Sequence, residues 1–141
     1  MFYITKKFEV PISHRLSKHL GLCKLYHGHN LLISVCIKSS ALNDNDMVMD
    51  FSELKSLVNK IISSWDHGMF INICDEKLVK NLNAEIHAFN SDPTSEILCR
   101  YLYFEMKSQL EYLNSMNSKQ YIFIHSVDIW ETRDSKSTYM E

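Results

Sequence analysis

The sequence predicts an α+β domain in which one antiparallel sheet carries two helices on one face. Period-two alternation lies near both ends of the chain, and apolar residues at helical spacing fill two stretches between them. Glycine (three) and proline (two) are too scarce for long flexible linkers. At 141 residues the chain has room for one domain, spanning 1–141.

From Ile4 to His14, the even positions Ile4, Phe8, Val10, Ile12 and His14 share a face broken only by Lys6, which predicts a strand ending in a histidine. Pro11 donates no ladder hydrogen bond, so this strand belongs at an edge or beside a bulge. From His27 to Ile37 the alternation returns, with His27, His29, Leu31, Ile33, Val35 and Ile37 on one side. Asn43-Asp44-Asn45-Asp46 reads as a turn whose side chains bond their own backbone. Asp50 and Glu53 resemble a capping box, and Phe51, Leu54, Leu57, Val58, Ile61, Ile62 and Trp65 follow at helical spacing, which predicts a helix over 51–64. Gly68 supplies a stop, leaving Asp66 and His67 at the helix exit or in the loop.

Residues 69–84 show no clear period, and a short strand is expected over 85–89. Asp92-Pro93-Thr94-Ser95-Glu96 carries helix-start signals for a second helix reaching to about Leu113. Gln120 to Glu131 alternates again, and Ser137–Met140 is a candidate closing strand. Such a sheet leaves open edges, which predicts assembly through them.

Composition narrows the function. Hydrophobic residues are 45% and charged residues 23% of the chain, as in an ordinary globular protein. The fifteen Lys and Arg are scattered among seventeen acidic residues, without the basic stripe that binding a nucleic acid calls for. No apolar run approaches the roughly 20 residues of a membrane span, and no signal-peptide core opens the chain, so a cytoplasmic protein away from membranes is expected. The four cysteines, Cys23, Cys36, Cys74 and Cys99, form no C-x-x-C pair and are expected as free thiols.

Alternation along a strand sends His27 and His29 to the same side, where both can reach one ion. Pairing of the two strands brings His14 to the same end, and Gly28 keeps the backbone between the histidines uncrowded. Three nitrogens and a vacancy describe a catalytic Zn2+ site, since a structural site is normally closed by a fourth protein ligand. On spacing alone this stands beside a core reading. His87 and His125 are single histidines, expected as hydrogen-bonded core residues, and His19 lies in a loop.

Cys23 precedes His27 by four residues, in the loop leading to the metal, where a cation favours the thiolate and makes it a candidate proton carrier. Cys36, Cys74 and Cys99 are read as small buried hydrophobes. Asp66-His67 is either an exposed polar pair or an acid–base pair. Glu131 ends a strand, where it is either exposed or a carboxylate able to accept a ligand's N–H groups.

The segments Ser13-His14-Arg15-Leu16, Cys23-Lys24-Leu25-Tyr26-His27-Gly28-His29-Asn30, Met47-Val48-Met49-Asp50-Phe51-Ser52-Glu53-Leu54-Lys55, Asp66-His67, Pro93-Thr94-Ser95-Glu96 and Glu131-Thr132 occur in that order. Together they resemble the 6-pyruvoyl-tetrahydropterin synthase / 6-carboxy-tetrahydropterin synthase family along nearly the whole chain. The resemblance implies the tunnelling fold: a four-stranded antiparallel sheet with two helices on one side, joined edge to edge into trimeric barrels. Two trimers stack as a homo-hexamer, with active sites at subunit boundaries. It makes His14, His27 and His29 the zinc ligands, Cys23 the catalytic thiol, and Asp66 with His67 the proton relay. Glu131 becomes the anchor of the pterin ring, assisted by Thr94, Ser95 and Glu96.

Three residues separate Cys23 from His27, as in the 6-carboxy branch of the 7-deazaguanine (queuosine) pathway, whereas the animal-type pyruvoyl enzymes place five there. The implied substrate is 7,8-dihydroneopterin triphosphate, with 6-carboxytetrahydropterin, acetaldehyde and triphosphate as products. The pyruvoyl reaction, which keeps the side chain, and a non-catalytic pterin-binding protein are the alternatives. Gly68, the Gly68–Asn90 stretch and the ending Tyr139-Met140-Glu141 depart from the family pattern.

Overall fold

Alternation builds the two longest strands, β1 (Phe2–His14) and β2 (His27–Ser39), which pair antiparallel from Phe2 opposite Ser39 to His14 opposite His27. The computed structural model describes residues 1–77, 83–116 and 120–141. Helix α1 (Phe51–Ile62) starts at Asp50, whose carboxylate accepts the backbone N–H of Ser52 at 2.7 Å and so satisfies one of the helix's free donors. It buries Leu54, Leu57, Val58 and Ile62, the apolar stripe expected from their spacing. Strands β3 (Gly68–Asn72) and β4 (Ile86–Phe89) come next, then α2 (Ser95–Met116), β5 (Ile122–Trp130) and β6 (Lys136–Tyr139).

The sheet has six strands in the order β4-β3-β1-β2-β5-β6. Its antiparallel part, β1, β2, β5 and β6, is the four-stranded sheet implied by the resemblance. Strands β3 and β4 extend it in parallel, β3 alongside Ile12–His14 and β4 alongside β3. Gly68, Phe70, Ile71 and Asn72 of β3 are all buried, so no polar face alternates with an apolar one. That is why 69–84 shows no period; residues 78–82 of that stretch lie outside the described residues.

Both helices pack on the face that carries Val10, Ile12, Leu31, Ile33, Val35 and Ile37, and α2 closes the core with Leu98, Leu102, Met106 and Leu110. Within described residues, β1 is paired on its β3 side only from Ile12 onward. Pro11 sits where that open edge ends, and its carbonyl accepts the backbone N–H of His67 at 2.9 Å. The edge position expected from Pro11 is therefore present. Gly68, by contrast, is not the helix stop: it opens β3 without a positive φ, and the chain turns at His67, whose φ is 58°. A non-glycine residue held in the left-handed region costs conformational energy that the surrounding contacts must cover.

Candidate metal centre

Pairing of β1 with β2 sets His14 directly opposite His27, and the two-residue period of β2 adds His29 on the same face. Their ligating nitrogens all lie within 4.8 Å of one another, and this is the one such group of three among the described residues. His14 is buried and the other two are half-buried, so the cluster opens outward through His27 and His29. A Cβ at Gly28 would stand 2.8 Å from the Ile12 carbonyl oxygen, so only glycine lets β1 and β2 close together between these histidines. Gly28→Ala is therefore expected to cost about 1–3 kcal/mol of stability and to weaken metal binding, read by thermal unfolding and zinc titration.

Two backbone carbonyls fix the rings. His14 donates from Nδ1 to the Pro93 carbonyl at 2.9 Å, and His27 donates from Nδ1 to the Leu25 carbonyl at 2.8 Å. A carbonyl can only accept, so in the neutral rings both Nε2 atoms carry lone pairs, and they face each other at 3.1 Å. Two lone pairs at that distance repel unless a cation or proton lies between them. With metal–nitrogen bonds of ~2.0–2.1 Å, tetrahedral zinc holds neighbouring nitrogens ~3.3 Å apart, so the observed pair fits such a site. Neutral imidazoles held by carbonyls through their second nitrogen are also the usual outer arrangement of zinc histidines.

Burial lowers the pKa of His14 from 6.5 to about 4; the Pro93 hydrogen bond opposes this, and the charges of His27 and His29 add to it. The folded value lies below the unfolded one, so the contribution of His14 to stability is complete above about pH 6.5 and is lost as pH falls through about 4. Denaturant midpoints of the metal-free protein are expected to fall across that window. A flat profile there contradicts the burial argument.

Cys23 is half-buried in a short 3-10 turn between β1 and β2, and its carbonyl accepts the Leu16 N–H at 2.9 Å, closing the loop that leads back to His27. Trp130 pairs with Leu32, so half-buried Glu131 leaves β5 beside the part of β2 that bears His29. Thr94 and Ser95 stand at the start of α2, next to the Pro93 carbonyl that holds His14. Ser95 shares a hydrogen bond of 2.8 Å with Ser137 on β6, Thr94 is half-buried, and Glu96 is exposed.

Asp66 and His67 form a tight pair, Nδ1 to Oδ1 at 2.6 Å, with side chains 59% and 85% exposed respectively. The His67 backbone is fixed to Pro11, three residues from His14 along β1, roughly 10 Å away at ~3.3 Å per residue. The pair therefore stands on the open surface beside the unpaired edge of β1. His87 stacks on Phe70 and donates to the Ser64 carbonyl at 2.7 Å, but it is only half-buried and its hydrogen bond is exposed, so it is hydrogen-bonded without being a core residue. His125 packs against Tyr3, but its Nδ1 is buried with no hydrogen-bond partner. His19 is exposed and accepts the Gly21 N–H.

Cys36 and Cys99 are buried; burial first, and then the charge of Asp128, push the Cys99 thiol up to about 12. Cys74 is exposed, contrary to its reading as a buried hydrophobe, because it follows β3 in a turn. Two features escaped the sequence reading. Arg15 pairs with Asp75 at 2.7 Å and lies over the Tyr26 ring, and Asp92 gathers three hydrogen bonds behind His14. Asp92 carried only a helix-start signal, and nothing in the sequence marked Asp75. No helix among the described residues is long and apolar enough to cross a membrane.

Known proteins share the sequence pattern and the fold of this chain. The family model for 6-pyruvoyl tetrahydropterin synthase matches residues 3–141. The chain is 29% identical to the 6-carboxy-5,6,7,8-tetrahydropterin synthase of Haemophilus influenzae over the full length of both, and 29% identical to that of Aquifex aeolicus over 98% of this chain and 97% of the other. Its fold is shared with an uncharacterized protein of Wolinella succinogenes (TM-score 0.79, 21% identity, 99% and 98% of the chains covered). It is shared also with the 6-pyruvoyl tetrahydropterin synthase of Caenorhabditis elegans (TM-score 0.71, 21% identity, 99% and 95% covered). With three histidines converging at one end of this sheet, the chain belongs to the 6-pyruvoyl tetrahydropterin synthase family.

Proposed function

We propose that the protein is a zinc-dependent 6-carboxy-5,6,7,8-tetrahydropterin synthase. It converts 7,8-dihydroneopterin triphosphate to 6-carboxytetrahydropterin, acetaldehyde and triphosphate, in 7-deazaguanine (queuosine) biosynthesis. The observation that carries this reading is the pair of Nε2 lone pairs facing each other at 3.1 Å, with His29 beside them, in a chain whose full-length relatives bear that name.

His14, His27 and His29 would hold the zinc. When bound, zinc supplies Lewis acidity toward hydroxyl groups of the substrate's side chain, which makes the adjoining C–H protons easier to remove. Cys23, on the loop that delivers His27, takes and returns a proton on one face of the side chain. His67 serves on the other face. Its Nδ1–H is held by Asp66, which leaves Nε2 as the atom that moves the proton. Glu131 accepts N–H groups of the pterin ring, and Thr94, Ser95 and Glu96 line the approach from the start of α2. Ser95 contributes by fixing that helix start to β6.

His67 is 85% exposed, and an acid–base pair works best away from bulk water. Its place beside the open β1 edge supports assembly through that edge, so that a second copy encloses the pair and each site is shared between subunits. A homo-hexamer made of two trimers is the proposed assembly. The pyruvoyl reaction is the second reading, favoured by the description of the matching family. The three-residue spacing of Cys23 and His27 favours the 6-carboxy branch.

Steady-state incubation of the zinc-loaded protein with 7,8-dihydroneopterin triphosphate, followed by released triphosphate, tests the enzymatic reading. Multiple turnovers are expected. A folded, zinc-loaded protein that binds the pterin and releases nothing would instead be a binding protein.

A further inference from the structure

Three segments with no secondary structure in common meet on one carboxylate close behind His14. Asp92 is 8% exposed. Its Oδ1 accepts the Ser17 hydroxyl at 2.5 Å and the Asn72 amide at 2.9 Å, and its Oδ2 accepts the Lys18 backbone N–H at 2.8 Å. Ser17 and Lys18 lie just past the end of β1, and Asn72 is the last residue of β3. The next residue, Pro93, provides the carbonyl that holds the His14 ring.

Every partner reaches Asp92 as a donor, and an ionised carboxylate is the side chain that only accepts. Burial alone raises the Asp92 pKa, but the hydrogen bonds from Ser17, Asn72 and Lys18 outweigh it and bring it down to about 2. An asparagine of the same shape would turn an NH2 group toward at least one of these donors. The junction would then lose a bond and gain a repulsion.

We propose that Asp92 is a positioning residue of the metal centre: it holds the turn whose Pro93 carbonyl orients His14, and ties that turn to the exit of β1 that leads to Cys23. It touches neither the cluster nor a substrate, and acts through the backbone of its neighbour. The part that concerns metal affinity rests on the zinc reading above; the part that concerns the His14 ring does not.

The test compares wild type, Asp92→Asn and Asn114→Ala. Asn114 pins Ile122 through two hydrogen bonds, at 2.8 and 2.9 Å, in another part of the fold, and serves as a control for general loosening. Zinc affinity is measured by competition with a chelator, and the His14 Nδ1–H is followed by NMR in the metal-free protein as a slowly exchanging imidazole resonance. Asp92→Asn is expected to weaken zinc binding by about 10–100-fold and to lose or broaden that resonance. Asn114→Ala is expected to lower the Tm and change neither. If Asp92→Asn fails to fold, Ser17→Ala removes a single donor and should move both readouts in the same direction by less.

The inference is overturned if the resonance persists and zinc affinity stays within about twofold of wild type, or if Asn114→Ala loses as much of both. If the wild type binds no zinc while the resonance is lost in Asp92→Asn alone, the positioning role stands and the zinc reading fails.

Discussion

Replacement of His29 by alanine is expected to lower kcat/KM by at least about 10³-fold, because metal polarisation of a substrate oxygen contributes several kcal/mol and each 1.36 kcal/mol is a factor of ten. His29 is the informative ligand. His14 is fully enclosed, so truncating it opens a cavity and strips the Pro93 carbonyl of its donor, which mixes loss of fold with loss of metal. His29 is half-buried at the mouth of the cluster, and its removal leaves the Nε2 pair of His14 and His27 in place. Two imidazoles then remain, too few for tight binding of zinc at neutral pH. Metal analysis of the purified variant together with steady-state kinetics checks this. A His29→Ala protein that keeps stoichiometric zinc and wild-type kcat/KM removes His29 from the ligand set.

Cys23→Ala is expected to lower kcat by about 10²–10⁴-fold with zinc content unchanged, the range for loss of a positioned proton-transfer group. Cys23 is not a ligand in the three-histidine cluster, so the two variants should separate: His29→Ala loses metal and turnover together, Cys23→Ala turnover alone. KM should change little, because a thiol that moves a proton in the transition state contributes little to holding the substrate. Cys74 and Cys99 provide the contrast. Cys99 is buried with a pKa of about 12, and Cys74 lies outside the β1–β2 connection, so Cys99→Ser and Cys74→Ser should leave kcat near that of wild type. If Cys23→Ala keeps full activity, the proton carrier must be another group.

The parts of the molecule legible in the sequence were those with a period. His27 and His29 share a face because a strand repeats every two residues, and α1 shows its stripe because Leu54, Leu57, Val58 and Ile62 recur at helical spacing. Strand β3 was hidden because it is buried on both sides, and its register beside Ile12–His14 is a parallel contact that no local pattern encodes. Gly68 reads as the helix stop because glycine is the usual left-handed residue; here His67 takes that conformation and the glycine serves close packing, with a Cβ there standing 2.9 Å from both His87 and the Trp65 carbonyl.

The contacts behind the histidine cluster were out of reach for another reason. Asp92 bonds Ser17 and Lys18 across 75 and 74 residues, and His14 finds Pro93 across 79. Only the folded chain brings those positions together. Asp66-His67 was visible as a pair, and the structure adds its place: on the surface, beside β1, with the His67 N–H bonded to the Pro11 carbonyl.

The most direct test of the proposed activity is the fate of the substrate's side chain. Zinc-loaded protein incubated with 7,8-dihydroneopterin triphosphate is assayed for acetaldehyde, with the pterin product identified by mass spectrometry. One acetaldehyde per triphosphate released, with 6-carboxytetrahydropterin as the pterin, is the predicted result. Triphosphate release without acetaldehyde, leaving a pterin that retains its three-carbon side chain, would contradict it and assign the pyruvoyl reaction instead.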